Sequence, residues 1–275
     1  MRKTRFLYQH GKSKALTISY DDGVQFDEKL VKILNRYKLK ATFNVNSGIK
    51  PGTTWINKGI DVTRINLVEN KDLYKEHEIA IHTLTHPHLE KLNENEILKE
   101  VLEDKINLER IYGGVIRGMS YPFGTYNSKV KDIIRTCGVD YSRTVVENED
   151  FTLPNDFLEW HSTCRHANPR LMEITKRFLE KEDGELDLFY IWGHSYEFEV
   201  DNNWELIEEF AEKVSNKEDI WYATNIEVYD YITAVRSLKF SGNKSRVYNP
   251  SALDVWISVD GKTVKIDSRE TIELL

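Results

Sequence analysis

Two spacings of apolar residues alternate along the chain. Short apolar runs with turn residues at their ends are typical of strands, and apolar residues three or four positions apart are typical of helices. The strands predicted in this way are residues 15–20, 41–45, 78–81, 115–121, 139–144, 188–192 and 220–223. The predicted helices are residues 26–38, 67–75, 93–112, 127–136, 169–181, 204–214 and 226–238. Asn93, with Glu96 three residues later, indicates a capping box at the start of one helix.

This alternation predicts an α/β fold built from parallel strand–helix–strand units that close, or nearly close, into a barrel. In such barrels the reactive side chains lie at the carboxyl ends of the strands. We assign residues 1–238 to the barrel domain. Residues 239–275 have turn signals between short β-type runs, and Asp260-Gly261 is a strong hairpin signal. We therefore expect a small β-rich C-terminal extension packed on the barrel.

Composition narrows the class of protein. The chain has 275 residues, of which 40% are hydrophobic, and a net charge of −7, which argues against binding to nucleic acid or to anionic membranes. No apolar run approaches the roughly 20 residues that span a bilayer, and the basic N-terminus lacks a signal-peptide core, so we expect a cytoplasmic protein. Cys137 and Cys164 are too few for a disulfide scaffold. The oligomeric state is left open.

Polar residues with metal-binding chemistry follow two of the predicted strands. Asp21 and Asp22 end the first strand in the sequence ISYDDG, and His82 and His86 follow the third in IHTLTHPHL. Two imidazoles four residues apart can converge on one ion, although two surface histidines would give the same spacing. With Asp22 they would complete a set of three ligands that leaves positions open for water and substrate.

The sequences SYDDG and HTLTHPHL resemble the first two motifs of the polysaccharide deacetylase family, carbohydrate esterase family four, with Tyr20 in place of Phe and Ser19 in place of Thr. The resemblance covers roughly residues 14–235. It implies a distorted, incomplete (β/α) barrel of about seven strands. It also implies a metal-dependent hydrolase that removes acetyl groups from N-acetylated or O-acetylated sugars or oligosaccharides. The implied cofactor is one divalent ion, with zinc expected first and cobalt or nickel as alternatives.

The resemblance also assigns roles to individual residues. Asp21 would be the general base that removes a proton from water, whereas Asp22, His82 and His86 would be the metal ligands. Phe123, in YPFGTYN, would donate its backbone N–H to the oxyanion. His194, which follows the apolar run LFYIW, would be the general acid for the leaving group.

The chain departs from the family pattern at Ser120, where relatives carry the Arg that orients the base. We expect Arg165, in HSTCRHANP, to hold Asp21 instead, although a solvated Arg would fit that sequence equally well. Tyr20, Tyr126 and Trp192 are candidate stacking walls for a sugar ring, with the core as the alternative position for such aromatic residues.

Two other functions remain open at this stage. One is a hydrolase of small cyclic amides or ureides on the same fold, which a cytoplasmic location would suit. The other is a non-catalytic sugar-binding relative, and the Ser at position 120 is consistent with it. The joint presence of Asp21, Asp22 and His194 with the histidine pair favours an enzyme.

Overall fold

The computed structural model describes residues 3–182 and 184–274. Its strands are β1 (Thr4–Leu7), β2 (Lys14–Asp21), β3 (Thr42–Val45), β4 (Thr54–Asn57), β5 (Ile60–Thr63), β6 (Glu78–Ile81), β7 (Gly118–Ser120), β8 (Tyr141–Glu147), β9 (Trp160–Ser162), β10 (Cys164–Arg165), β11 (Asp187–Gly193), β12 (Ile220–Tyr222), β13 (Lys239–Phe240), β14 (Arg246–Tyr248), β15 (Val255–Val259), β16 (Lys262–Ile266) and β17 (Thr271–Glu273). Its α-helices are α1 (Asp27–Arg36), α2 (Glu94–Tyr112), α3 (Ser128–Thr136), α4 (Leu171–Glu180), α5 (Tyr196–Val200), α6 (Trp204–Val214) and α7 (Asn225–Ser237).

A parallel sheet of nine strands forms the centre of the molecule. Its order is β10-β11-β2-β3-β6-β7-β8-β9, and β12 pairs with the start of β2. Strands β9 and β10, at the two ends of this order, are separated in the chain by Thr163 alone, whose N–H donates to the carbonyl of Tyr190. The α/β class with a parallel sheet is therefore confirmed. The expected count of about seven strands is not confirmed, because the sheet has nine. Within residues 3–182 and 184–274 no strand ladder closes the sheet into a barrel.

The elements around the sheet follow the predicted order. Helix α2 begins with the predicted capping box between Asn93 and Glu96, and α6 has the predicted bounds. The helix expected over residues 67–75 is reduced to one 3-10 turn, Lys71–Tyr74. The hairpin β4–β5 was not predicted. Its turn residues Lys58 and Gly59 have φ values of 46° and 87°, as a two-residue hairpin turn requires.

The C-terminal residues form two small antiparallel sheets, β1-β15-β16 and β13-β14-β17. The predicted hairpin at Asp260-Gly261 joins β15 to β16, and β1 from the N-terminus pairs with β15. Val247 and Ile257 of these sheets share an apolar cluster with Tyr231 of α7 and Tyr190 of the main sheet. The domain boundary at residue 238 stays a prediction. Among the described helices, none combines the length and the hydrophobicity needed to cross a bilayer.

Candidate active site

The two adjacent acids serve one site because the backbone turns sharply after β2. Asp21 is the last residue of β2, and both Asp22 and Gly23 have positive φ values, 88° and 64°. In a regular strand successive side chains point to opposite faces. Here the turn brings Asp21 Oδ2 to 3.9 Å from His82 Nε2 and Asp22 Oδ2 to 3.8 Å from His194 Nε2. Both carboxylates therefore border the same cluster of imidazoles.

Asp22, His82 and His86 form a compact donor set. One ligand atom from each lies within 4.8 Å of the others, and the two imidazole Nε2 atoms are 3.1 Å apart. The Nδ1 atom of His82 lies 2.7 Å from the Oγ atom of Ser120, which turns Nε2 toward the other donors. Burial lowers the pKa of His82 and lowers that of His86 to about 4, so both rings are neutral and can bind a cation. This set fits a divalent metal ion.

Arg143, a residue that the sequence analysis did not select, binds Asp21. Its Nη2 atom donates to Asp21 Oδ2, and both side chains are almost completely buried. The amide of Asn44 donates to the other carboxylate oxygen at 2.9 Å. Burial alone would raise the pKa of Asp21, but the charges of Arg143, His82 and His194, together with the hydrogen bond from Arg143, outweigh it and hold the pKa below its usual range. Asp21 is therefore ionised at neutral pH.

The expectation that Arg165 holds Asp21 is wrong. Arg165 lies on β10, and its guanidinium pairs with Glu197 of α5. The Arg that binds Asp21 comes from β8, where Arg143 stands directly opposite Ser120 in the register of β7 and β8. The position left by the family's Arg is thus filled from the neighbouring strand.

Arg64, another residue that the sequence analysis did not select, holds Asp22. Its Nη2 atom lies 2.8 Å from Asp22 Oδ1, and its Nη1 atom donates to the Asp22 carbonyl and, at 3.0 Å, to Asn46. Burial would raise the pKa of Asp22, but the charges of His194, Arg64 and the two other histidines together outweigh it, and the pKa is lowered. No local pattern marks Arg64 in the sequence, because it follows the hairpin β4–β5 that was itself not predicted.

His194 follows β11 at the same edge of the sheet. Its Nδ1 atom is 3.3 Å from Glu197 Oε1, and its backbone N–H donates to Glu197 Oε2 at 3.2 Å. Glu197 is buried and also lies 3.2 Å from Nε2 of His166. Burial lowers the pKa of His194, and the nearby charge of Asp22 works against this shift. Glu197 is therefore in contact with both the ring and the backbone of His194.

Phe123 lies on the rim of the site, in a 3-10 turn where its φ is 57°. Its ring is 52% exposed, stacks on His88 at a centroid distance of 4.0 Å and meets the edge of His86 at 4.5 Å. The structure thus brings Phe123 next to a candidate metal ligand. The donor role of its backbone N–H stays a prediction.

Two of the three candidate stacking residues are not exposed walls of a cleft. Tyr20 is fully buried between Phe43, His166 and Phe198, so its predicted contact with substrate is wrong. Trp192 is also buried, and the guanidinium of Arg143 lies over its ring at 4.1 Å, so that it packs against this Arg instead. The half-buried Tyr126 stacks on Tyr121 at 4.7 Å, and its predicted role is untested.

Comparisons with known proteins agree with this geometry. The profile of the polysaccharide deacetylase family matches residues 8–142, which include the acid pair, the histidine pair and Phe123. Similar solved structures include a protein from Mycobacterium smegmatis described as a polysaccharide deacetylase (14% identity, TM-score 0.57, covering 86% of this chain and 96% of that one). They also include the peptidoglycan deacetylase PdaC from Bacillus subtilis (18% identity, TM-score 0.50, covering 82% and 93%).

At these identities the two structures show a shared fold alone. A comparison with curated proteins found no match. The family assignment depends on the profile match, on the motifs SYDDG and HTLTHPHL within it, and on the convergence of their acids and imidazoles in space. Residues 8–142 therefore match the polysaccharide deacetylase family.

Proposed function

We propose that this protein is a metal-dependent deacetylase that hydrolyses the acetamide of an N-acetylated sugar, with O-acetyl esters as the alternative substrate. The observation that carries the proposal is the different set of partners of the two adjacent acids. Asp22 is one of three donors that face a common point, whereas Asp21 is paired with Arg143 beside them. One carboxylate is thus available to bind a cation and the other to accept a proton.

Asp22, His82 and His86 would hold the ion, for which zinc is our first choice and cobalt or nickel are alternatives. A divalent ion in this position would supply Lewis acidity, which polarises the acetyl carbonyl and lowers the pKa of water. The remaining steps belong to the protein's own side chains.

Asp21 would accept the proton of the water that attacks the acetyl carbon. Arg143 and Asn44 fix the two oxygens of its carboxylate in position, and Arg143 keeps it ionised. A base held by two partners loses little orientational freedom during the reaction. Asp21 would then be a neutral, protonated carboxyl group beside Arg143, and it would lose this proton to solvent once the products leave.

His194 would give its Nε2 proton to the leaving nitrogen as the carbon–nitrogen bond breaks, producing acetate and a free amine. Glu197 approaches Nδ1, so Nε2 is the ring atom on the side of Asp22. The ring must be protonated to act as the donor, and the charge of Asp22, which counters the lowering of the His194 pKa by burial, would favour that form. The backbone N–H of Phe123 would stabilise the oxyanion, which is supported by the position of Phe123 against His86.

Acetate release tests the proposal. Wild-type protein supplied with zinc, cobalt or nickel is incubated with N-acetylated and O-acetylated mono- and oligosaccharides, with and without a chelator. We expect acetate from at least one acetylated sugar and none after chelation. Turnover of cyclic imides or ureides alone would identify the other hydrolase, and stoichiometric metal without turnover would identify a sugar-binding relative.

A further inference from the structure

The hairpin β4–β5 is attached directly to the segment that follows the two acids. The N–H of Gln25 donates to the carbonyl of Thr63, and the N–H of Ile65 donates to the carbonyl of Gly23, both at 3.0 Å. Between these contacts Arg64 binds Asp22. The base of the hairpin is therefore fixed beside the candidate metal ligand.

The two faces of the hairpin have different surroundings. Trp55 stands opposite the buried Val62 on one face, and Ile56 stands opposite Asp61 on the other. The ring of Trp55 meets the edge of Tyr196 at a centroid distance of 5.7 Å, and the guanidinium of Arg64 lies 5.1 Å from it. Ile56 is 73% exposed. The Trp55 face is thus the one turned toward the site.

Trp55 and Tyr196 extend the site as a row of rings. Tyr196 lies 5.1 Å from the ring of His194, the candidate general acid, and Trp55 is the next ring in the row. The far end of the hairpin is tied down as well, because Lys58 donates to Asp201 at 2.7 Å after helix α5. The row is therefore held between α5 and the base of the hairpin.

The exposed parts of these rings have the chemistry of a carbohydrate platform. Aromatic rings offer a flat apolar face together with a polar atom at the edge, which matches the apolar faces and the hydroxyl groups of a sugar ring. Trp55 and Tyr196 are both partly exposed. No described residue accepts a hydrogen bond from the indole N–H of Trp55, which leaves that N–H available to a sugar hydroxyl.

We propose that Trp55 and Tyr196 form a binding subsite for the sugar ring that neighbours the acetylated residue. The enzyme would therefore prefer oligosaccharides to acetylated monosaccharides. This inference rests on the proposed deacetylase function, because it takes His194 to mark the position of the leaving group.

The test compares chain lengths in two readouts. The first is kcat/KM for the N-acetylglucosamine tetramer divided by kcat/KM for the monomer. We expect Trp55→Ala to lower this ratio about 3- to 10-fold, as the loss of one aromatic contact would. Trp55→Phe should keep most of the preference, and Ile56→Ala, on the opposite face of the same strand, should leave it unchanged.

The second readout needs no turnover. Calorimetric titration of the tetramer into the Asp21→Asn protein, with and without Trp55→Ala, measures the contribution of Trp55 to binding. Weaker tetramer binding in the double variant supports the subsite, even if the wild type releases no acetate and the proposed function fails. Equal ratios for wild type and Trp55→Ala, or equal tetramer binding with and without Trp55, overturn the subsite while leaving the deacetylase proposal intact.

Discussion

The guanidinium of Arg143 pairs with the carboxylate of Asp21, although 122 residues separate them and three strands of the main sheet lie between β8 and β2. The contact is possible because the sheet curls and its strand ends face one another around the site. Trp192 covers the other side of the guanidinium at 4.1 Å. Arg143 is therefore a buried part of the site, held by Asp21 on one side and by Trp192 on the other.

Substitution of Arg143 should therefore lower the activity more than substitution of Arg165. We expect Arg143→Ala to lower kcat about 100-fold or more, because Asp21 loses its orientation and the charge of the neighbouring cation, which helps to keep it ionised. Without the cation, burial raises the pKa of Asp21, so the acidic limb of the pH–rate profile should move to higher pH. Arg143→Lys keeps the charge and should lose less.

Arg165→Ala is the matched control, since Arg165 pairs with Glu197 and not with Asp21. The acidic limb of its pH–rate profile should lie at the same pH as in the wild type. An equal shift of that limb in the Arg165 and Arg143 variants would contradict the assignment. Removing one member of a buried pair costs about 3–5 kcal/mol, so folding of each variant is checked by circular dichroism.

Substitution of the two adjacent acids should give different losses. Asp21→Asn should lower acetate release about 10²- to 10⁴-fold and keep the bound metal, because Asp21 lies outside the donor set. Asp22→Asn should lose the metal together with activity. Metal content by mass spectrometry and acetate release are measured on the same samples. Loss of metal from the Asp21 variant, with retention by the Asp22 variant, would reverse the roles.

His86→Ala should weaken metal binding by more than the roughly 10- to 100-fold typical of losing an outer partner, since it removes one of three donors. His88→Ala is the control from the same loop, because His88 is outside the donor set and stacks on Phe123. Competition with a chromogenic chelator measures both affinities. An ion bound at 100 times its Kd stabilises the fold by about 2.7 kcal/mol, so chelation should also lower the unfolding midpoint of the wild type.

The free energy of unfolding should depend on pH through the buried carboxyl group of Asp27. It is fully buried, accepts hydrogen bonds from Tyr74 at 2.7 Å and from Ser195, and burial raises its pKa to about 7. The folded state keeps the proton up to that pH, whereas the unfolded chain loses it near pH 4. This contribution to stability is therefore complete below about pH 4 and lost as the pH rises to about 7, with a size of up to about 4 kcal/mol.

Asp27→Asn resembles the protonated acid and should remove this part of the pH dependence. Urea unfolding of wild type and variant at several pH values between 4 and 8 gives the difference. Glu28→Gln, at the exposed neighbour on the same helix, should leave the wild-type profile nearly unchanged. Parallel stability curves for wild type and Asp27→Asn would show that Asp27 ionises normally in the fold.

Elements with strong local signals could be predicted from the sequence. The strand β6 and the amphipathic helix α6 have their predicted bounds, and the capping residues of α2 mark its start. The strands β4 and β5 were not predicted, because four-residue strands with polar and apolar residues mixed give little periodicity. Tyr20 was misjudged because its partners Phe198 and His166 come from distant segments.

The donor set was predictable because its residues carry their own chemical signal in short motifs. Arg143 was not, because its direction depends on how far the sheet curls, and this is a property of the whole fold. One clue was present: Ser120 and Arg143 occur on strands that follow one another in the chain and pair in register. A position that lacks an expected cation can be completed by the residue beside it on the next strand.

The chain changes its pairing partner in the main sheet at Thr163, between β9 and β10. Just before it the chain pairs with β8, which carries Arg143, and just after it with β11, which ends beside His194. Thr163 itself bonds the backbone of Tyr190 in both directions, at 2.9 and 3.1 Å. A single residue, Thr163, thus separates the segment paired with the strand of Arg143 from the segment paired with the strand that ends beside His194. An insertion here would shift β9 relative to β10 and misalign the site without changing any of its side chains.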